Sequence, residues 1–152
     1  MKRLLVVYAS QTGRTRRLVD AAMAGAREGA DDVRTDLLHG LDAGVDELMA
    51  CDGLLIATPE NFGYMSGAIK DFLDRTYYPC EGLRLGLPYA VIVSAGNDGS
   101  GAVRSIERIA TGFGWKAAAE PLIVVGDPGT DAISRAVVIG QTLAAGLSLG
   151  VL

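Results

Sequence analysis

The chain has 152 residues, a formal charge of −4 from 14 basic and 18 acidic side chains, and 49% hydrophobic residues. That length suits one domain, residues 1–152, and the composition excludes a disordered chain, while the acidic balance excludes the basic footprint of a nucleic-acid binder. Two cysteines, Cys51 and Cys80, with one histidine, His39, exclude a disulfide framework and leave too few ligands for a metal centre.

Met1-Lys2-Arg3 leads straight into Leu4 to Ala9, a nearly continuous apolar run that predicts a strand covered on both faces. With no cleavage pattern at the start and no apolar run approaching the ~20 residues that cross a bilayer, the expectation is a cytoplasmic protein without a membrane partner. Leu18, Val19, Ala22, Met23 and Ala26 form a helical stripe, so the first helix is expected at about 14–28, ending near Gly29. Val33 to Leu38 alternates apolar with polar and reads as a half-exposed edge strand. Leu41 to Ala50 reads as a helix despite Gly44. Gly53 to Thr58 predicts the third strand. The helix after it carries Ile69, Phe72, Leu73 and Thr76 on one face, opposite charges at Lys70/Asp74 and Asp71/Arg75, and a stop at Pro79. Tyr89 to Ala95 and Leu122 to Gly126 are the last two strands. Val103, Ile106, Ala110 and Phe113 mark the helix between them, and Ile133, Val137 and Ala144 the final one.

The sum is five βα units, hence an α/β doubly wound, five-stranded parallel sheet of order 2-1-3-4-5 with helices on both faces. In such a sheet a ligand sits at the carboxyl ends of the strands where the winding reverses. This places three loops together: Ser10 to Thr15, Thr58 to Ser66, and Ser94 to Gly101. The first supplies three hydroxyls and a glycine where a strand turns into a helix, and free N–H groups with the helix dipole there favour an anion such as a phosphate monoester. Ser and Thr are also ordinary helix caps, but three hydroxyls exceed what one cap needs. Arg14, Arg16 and Arg17 oppose the dipole in the same turn, a conflict that an anion removes.

Other uses of the architecture fail on their motifs. Only Gly13 stands where a dinucleotide fingerprint needs G-x-G-x-x-G, and no G-x-x-x-x-G-K-[ST] occurs. Ala9-Ser10 and Thr58-Pro59 replace the acids of a response-regulator receiver, and the first loop lacks the cysteine of a small phosphatase.

Ser10-Gln11-Thr12-Gly13-Arg14-Thr15 resembles the flavodoxin phosphate loop, [ST]-x-T-G-x-T. The block Cys51 to Arg75, with Thr58-Pro59-Glu60-Asn61-Phe62-Gly63 at its centre, is similar to the strand, flavin loop and helix of flavodoxin-like NAD(P)H-dependent FMN reductases and quinone oxidoreductases. The likeness runs from residue 2 to about residue 126. It implies FMN, with phosphate on Ser10, Gln11, Thr12, Gly13, Arg14 and Thr15, and the ribityl chain and ring along Thr58, Pro59, Glu60, Asn61, Phe62 and Gly63. The loop containing Ser94, Ala95, Gly96, Asn97 and Gly101 would lie at the ring's other edge. Phe62 and Tyr64 either cover the ring or pack on the next helix or a neighbouring subunit; Glu60 either accepts from the ring imide or is a solvated carboxylate.

The implied activity is electron transfer from NADH or NADPH through FMN to a small acceptor such as a quinone or free flavin. No side chain need act as acid or base, because the cofactor carries the chemistry. A flavodoxin-type one-electron carrier, or a regulatory protein of this fold without flavin, are the alternatives. The apolar end Ala144 to Leu152 suits either packing on its own domain or a homodimer or larger homo-oligomer.

Overall fold

The computed structural model describes all 152 residues, Met1–Leu152. Seven strands alternate with five helices: β1 (Lys2–Tyr8), α1 (Arg14–Gly29), β2 (Val33–His39), α2 (Val45–Ala50), β3 (Gly53–Asn61), β4 (Tyr64–Met65), α3 (Gly67–Cys80), β5 (Pro88–Ala95), α4 (Ser100–Phe113), β6 (Lys116–Ala117), β7 (Leu122–Val125) and α5 (Thr130–Leu149). The parallel order is β2-β1-β3-β5, and β6 and β7 share the last edge. This is the 2-1-3-4-5 winding, with seven strands in place of the five expected. β6 pairs with Pro88 and Tyr89 and β7 with Ile92 to Ala95, so one edge strand is interrupted ahead of Pro121, which has no N–H to donate. β4 is the return arm of an antiparallel hairpin with β3.

Alternation along the central strands divides the core between the two faces. Leu5, Val7, Leu54, Ile56, Val91 and Val93 point to α2, α3 and α4, where Ile69, Phe72, Ile106 and Phe113 complete a buried cluster. Leu4, Val6, Leu55, Ala57, Ala90 and Ile92 point the other way, onto Leu18, Val19, Leu143 and Ala144 of α1 and α5. Trp115, stacked on Phe113 with centroids 4.2 Å apart, belongs to the first cluster.

Three local expectations change. The helix expected over Leu41 to Ala50 is only α2, because the Arg75 guanidinium donates to the carbonyls of Gly40 and Ala43, and the Glu47 carboxylate accepts from the Gly44 N–H. Pro79 lies inside the last turn of α3, where few backbone bonds remain to be lost. The expected lack of a membrane-length apolar run is also corrected. α5 has 20 residues and a mean hydropathy of 1.4 over its most apolar window, enough to cross a bilayer by length and composition. Its Ala136, Ile139, Gly140, Leu143, Ala144 and Leu147 are instead buried in the second core cluster or against α1. Its last residue, Leu149, and Val151 and Leu152 beyond it are exposed.

Candidate functional site at the carboxyl ends of the strands

The loops after β1, β3 and β5 meet around one cleft of about 140 Å³. Its lining is Gln11, Thr12, Arg14 and Thr15 from the first loop, Pro59, Glu60 and Asn61 from the second, and Ser94, Ala95 and Gly96 from the third. All ten are among the residues the sequence puts at the site. Ser10, Gly13, Thr58, Phe62, Gly63, Asn97 and Gly101 do not line it.

The first loop leaves hydrogen-bond donors open at a helix start. Gly13 is the N-cap of α1 with φ at 93°, no side chain caps the helix from that position, and the space where its Cβ would stand is open. The N–H groups of Arg14 and Thr15 have no backbone partner. Ser10 Oγ accepts from the Arg16 N–H at 3.3 Å, so one of the three hydroxyls does cap the helix. Thr12 and Thr15 remain on the cleft wall. This donor set, two free amides and two hydroxyls beside an open glycine at a helix start, fits a phosphate ester.

Neighbouring acids, rather than a bound anion, already meet the three arginines of this turn. Arg17 pairs with Asp127 at 2.8 Å and Arg14 approaches the same carboxylate at 3.8 Å. Arg16 pairs with Asp20 at 2.9 Å, donates to the Tyr8 hydroxyl at 2.8 Å, and lies over the Tyr8 ring. All three charges thus have partners within the protein, and only Arg14 reaches the cleft. Asp127 follows β7, and the rule that selected the other loops, carboxyl ends of strands, also reaches it.

The second loop is a hairpin. Glu60 opposes Met65 and Asn61 opposes Tyr64, with Phe62 at φ 51° and Gly63 at φ 76° between them. Two successive positive φ values fit a type I′ turn, which suits glycine and strains phenylalanine. The Phe62 ring is fully exposed and covers no helix. Thr58 stands behind the cleft, fully buried; its hydroxyl accepts from the Ser66 N–H and donates to the Pro59 carbonyl, each at 2.9 Å.

Glu60 is half-buried on the cleft wall, and both its carboxylate oxygens are engaged within the protein. Its carboxylate accepts from the Gly99 N–H at 2.9 Å and the Ala102 N–H at 3.2 Å, capping α4 across the gap between the second and third loops. Gly101 packs the same junction, where a Cβ would stand 2.0 Å from the Gly63 carbonyl oxygen. Asn97 is exposed at the rim. Asp98 is held below the usual carboxylate range, chiefly by the hydrogen bond from the Ser100 hydroxyl at 2.8 Å.

Residues 39–126 match the sequence profile of the NADPH-dependent FMN reductase family. Among individual proteins, an NAD(P)H dehydrogenase (quinone) of Archaeoglobus fulgidus is 31% identical over 99 aligned positions, covering 50% of this chain and 52% of that one. A flavodoxin of Aquifex aeolicus is 31% identical over 74 residues, 49% of this chain and 40% of the relative. The chain thus spans about half the length of the curated relatives it matches. In fold it is similar over its whole length to a flavodoxin from the domain Archaea, with a TM-score of 0.85, 20% identity and coverage of 96% and 99%. A flavodoxin, WrbA-like protein from Agrobacterium tumefaciens gives a TM-score of 0.76 at 17% identity, covering 99% of each chain. With a flavodoxin-like fold and a profile match over more than half its residues, the chain belongs to the NADPH-dependent FMN reductase family.

Proposed function

We propose that this chain is an FMN-dependent NAD(P)H oxidoreductase that delivers electrons to a quinone-type or other small acceptor. The observation that carries the reading is the single cleft joining the phosphate-type loop at α1 to the loops after β3 and β5. Thr12, Thr15 and the free amides of Arg14 and Thr15 would hold the phosphate, with Ser10 and Gly13 shaping the turn. Pro59, Glu60, Asn61, Ser94, Ala95 and Gly96 would flank the ribityl chain and ring. FMN held there would supply the redox chemistry, hydride acceptance and onward electron transfer. The chain's own residues position and shield it. Glu60 keeps the second and third loops at a fixed spacing, and the exposed Phe62 and Tyr64 offer apolar surface to an incoming acceptor.

The reading takes residues 1–152 as one cytoplasmic domain with free thiols, able to form a homodimer or larger homo-oligomer through its exposed apolar end. The Aquifex aeolicus relative favours a second reading, a flavodoxin-type electron carrier. One experiment separates them. The purified protein is incubated with FMN, desalted, and its visible spectrum followed on adding NADPH or NADH, then a quinone. Retained flavin that bleaches with the nucleotide and recovers with quinone over many turnovers supports the reductase. Retained flavin indifferent to both nucleotides supports the carrier, and no retained flavin removes both.

A further inference from the structure

We propose that Asp127, in the loop after β7, sets how tightly the cleft holds a flavin phosphate, by competing with that phosphate for the Arg14 guanidinium. The proposal rests on the reading of the cleft as an FMN site. At its phosphate end the uncharged donors are uncommitted. Thr15 is 2% exposed and lines the cleft, its hydroxyl takes part in no hydrogen bond, and the Arg14 and Thr15 N–H groups have no backbone partner. A buried hydroxyl without a partner inside the protein is one that a ligand oxygen can satisfy.

The charged donor is committed. Arg14 lines the same cleft, and its Nε stands 3.8 Å from Asp127 Oδ1, the oxygen to which Arg17 Nη2 donates at 2.8 Å. The two arginines share one carboxylate oxygen unequally. Arg17 is hydrogen-bonded, whereas Arg14 is attracted at a distance beyond a hydrogen bond and can turn to a phosphate without breaking one.

Asp127 is held where it stands. Gly126 before it, at φ 78°, donates its N–H to the carbonyl of Ala95, a cleft residue, at 2.9 Å, and Pro128 after it is buried. The loop after β7 therefore presents a fixed negative charge to the first turn of α1. A phosphate monoester carries about −1.5 to −2 at neutral pH, so this charge both opposes the anion and draws on the guanidinium that would bind it. Glu60 on the cleft wall differs, because both its oxygens are taken by N–H groups of α4, while Asp127 Oδ2 accepts from no group. The phosphate end is thus tuned below the strength that its donors allow.

Fluorescence titration of the full chain, freed of bound flavin, with FMN and with riboflavin tests this. Riboflavin has the same ring and ribityl chain without the phosphate, so a change confined to FMN reads the phosphate end. In Asp127→Asn, which keeps the shape and removes the charge, FMN is expected to bind about three- to fivefold tighter at low salt, with riboflavin unchanged and the gain shrinking at about 0.5 M salt, as for an exposed charge. Arg14→Gln should weaken FMN, and adding Asp127→Asn to it should then gain less than about 1.5-fold, because the two charges act through each other. A role confined to holding α1 in place would instead weaken both flavins in Asp127→Asn. FMN affinity that is unchanged or lower in Asp127→Asn, a gain shared equally by riboflavin, or a full gain in the Arg14→Gln background overturns the proposal. Failure here is distinct from failure of the reductase reading. Protein that binds FMN without these shifts loses only the role of Asp127, protein that shows them but is not reduced by NADPH or NADH loses only the reductase role, and protein that binds neither flavin loses both.

Discussion

At the scale of single residues, Glu60 carries the most consequence. Its side chain satisfies two N–H groups at the start of α4, a helix whose N-cap is a glycine and has no side chain to offer. Replacing it with alanine leaves both donors unpaired in a half-buried junction and is expected to cost about 1–2 kcal/mol, the range of a lost helix cap. Glu60→Gln keeps one acceptor oxygen and should cost less. Urea unfolding of the two variants measures this, and an alanine variant as stable as the wild type would show that the cap contributes nothing. The residue's place on the cleft wall was legible, since it falls in the loop that the topology selects. Its role was not, because its partners lie 39 and 42 positions away and no local pattern joins them. The same applies to Arg14 and Arg17, whose shared partner Asp127 is 110 positions from Arg17.

At the scale of elements, apolar periodicity located the buried stripes but not how closely they meet. α1 and α5 approach through glycines: a Cβ on Gly25 would stand 2.0 Å from the Val137 carbonyl oxygen, and one on Gly140 would stand 1.9 Å from that of Ala22. Neither backbone can yield without separating the helices, so Gly140→Ala is expected to destabilise by about 1–3 kcal/mol through overpacking. Gly112, inside α4, gives the opposite sign. A Cβ there meets only the Tyr77 ring, at an ordinary 3.7 Å, so Gly112→Ala should stabilise by about 0.4–1 kcal/mol by restricting the unfolded chain. Measured together by denaturant midpoints, one substitution type shifting stability in both directions checks the packing directly. Two alanines that both stabilise would mean that α1 and α5 sit farther apart than described. In a single sequence these glycines look alike, since only tertiary contact tells a helix weakened by glycine from one that needs it.

At the scale of the whole molecule, the winding was readable because buried parallel strands are runs of Val, Ile and Leu that few other elements produce. The hairpin arm Tyr64–Met65 and the split last edge escaped because two-residue strands carry no periodicity. The open edge of that sheet also sets an acid limit on stability. Asp36 on β2 accepts from the Arg3 guanidinium of β1 at 2.9 Å and from Arg34 at 2.7 Å. Burial acts against its ionisation, but the two arginines outweigh burial and hold the carboxyl below its usual 3.8. A carboxyl with a depressed folded value binds protons more readily when the chain is unfolded, so its contribution is fully present above the unfolded value and fades as the pH falls through the folded one. Asp36→Asn lacks that contribution at every pH. The stability gap between wild type and Asp36→Asn should therefore be constant from neutral pH down to about 5 and close below about 4. Urea midpoints across that range read the gap, and one that stays constant to pH 2 would mean that the Arg3–Asp36–Arg34 cluster adds no ionisation-linked stability to the β1–β2 edge.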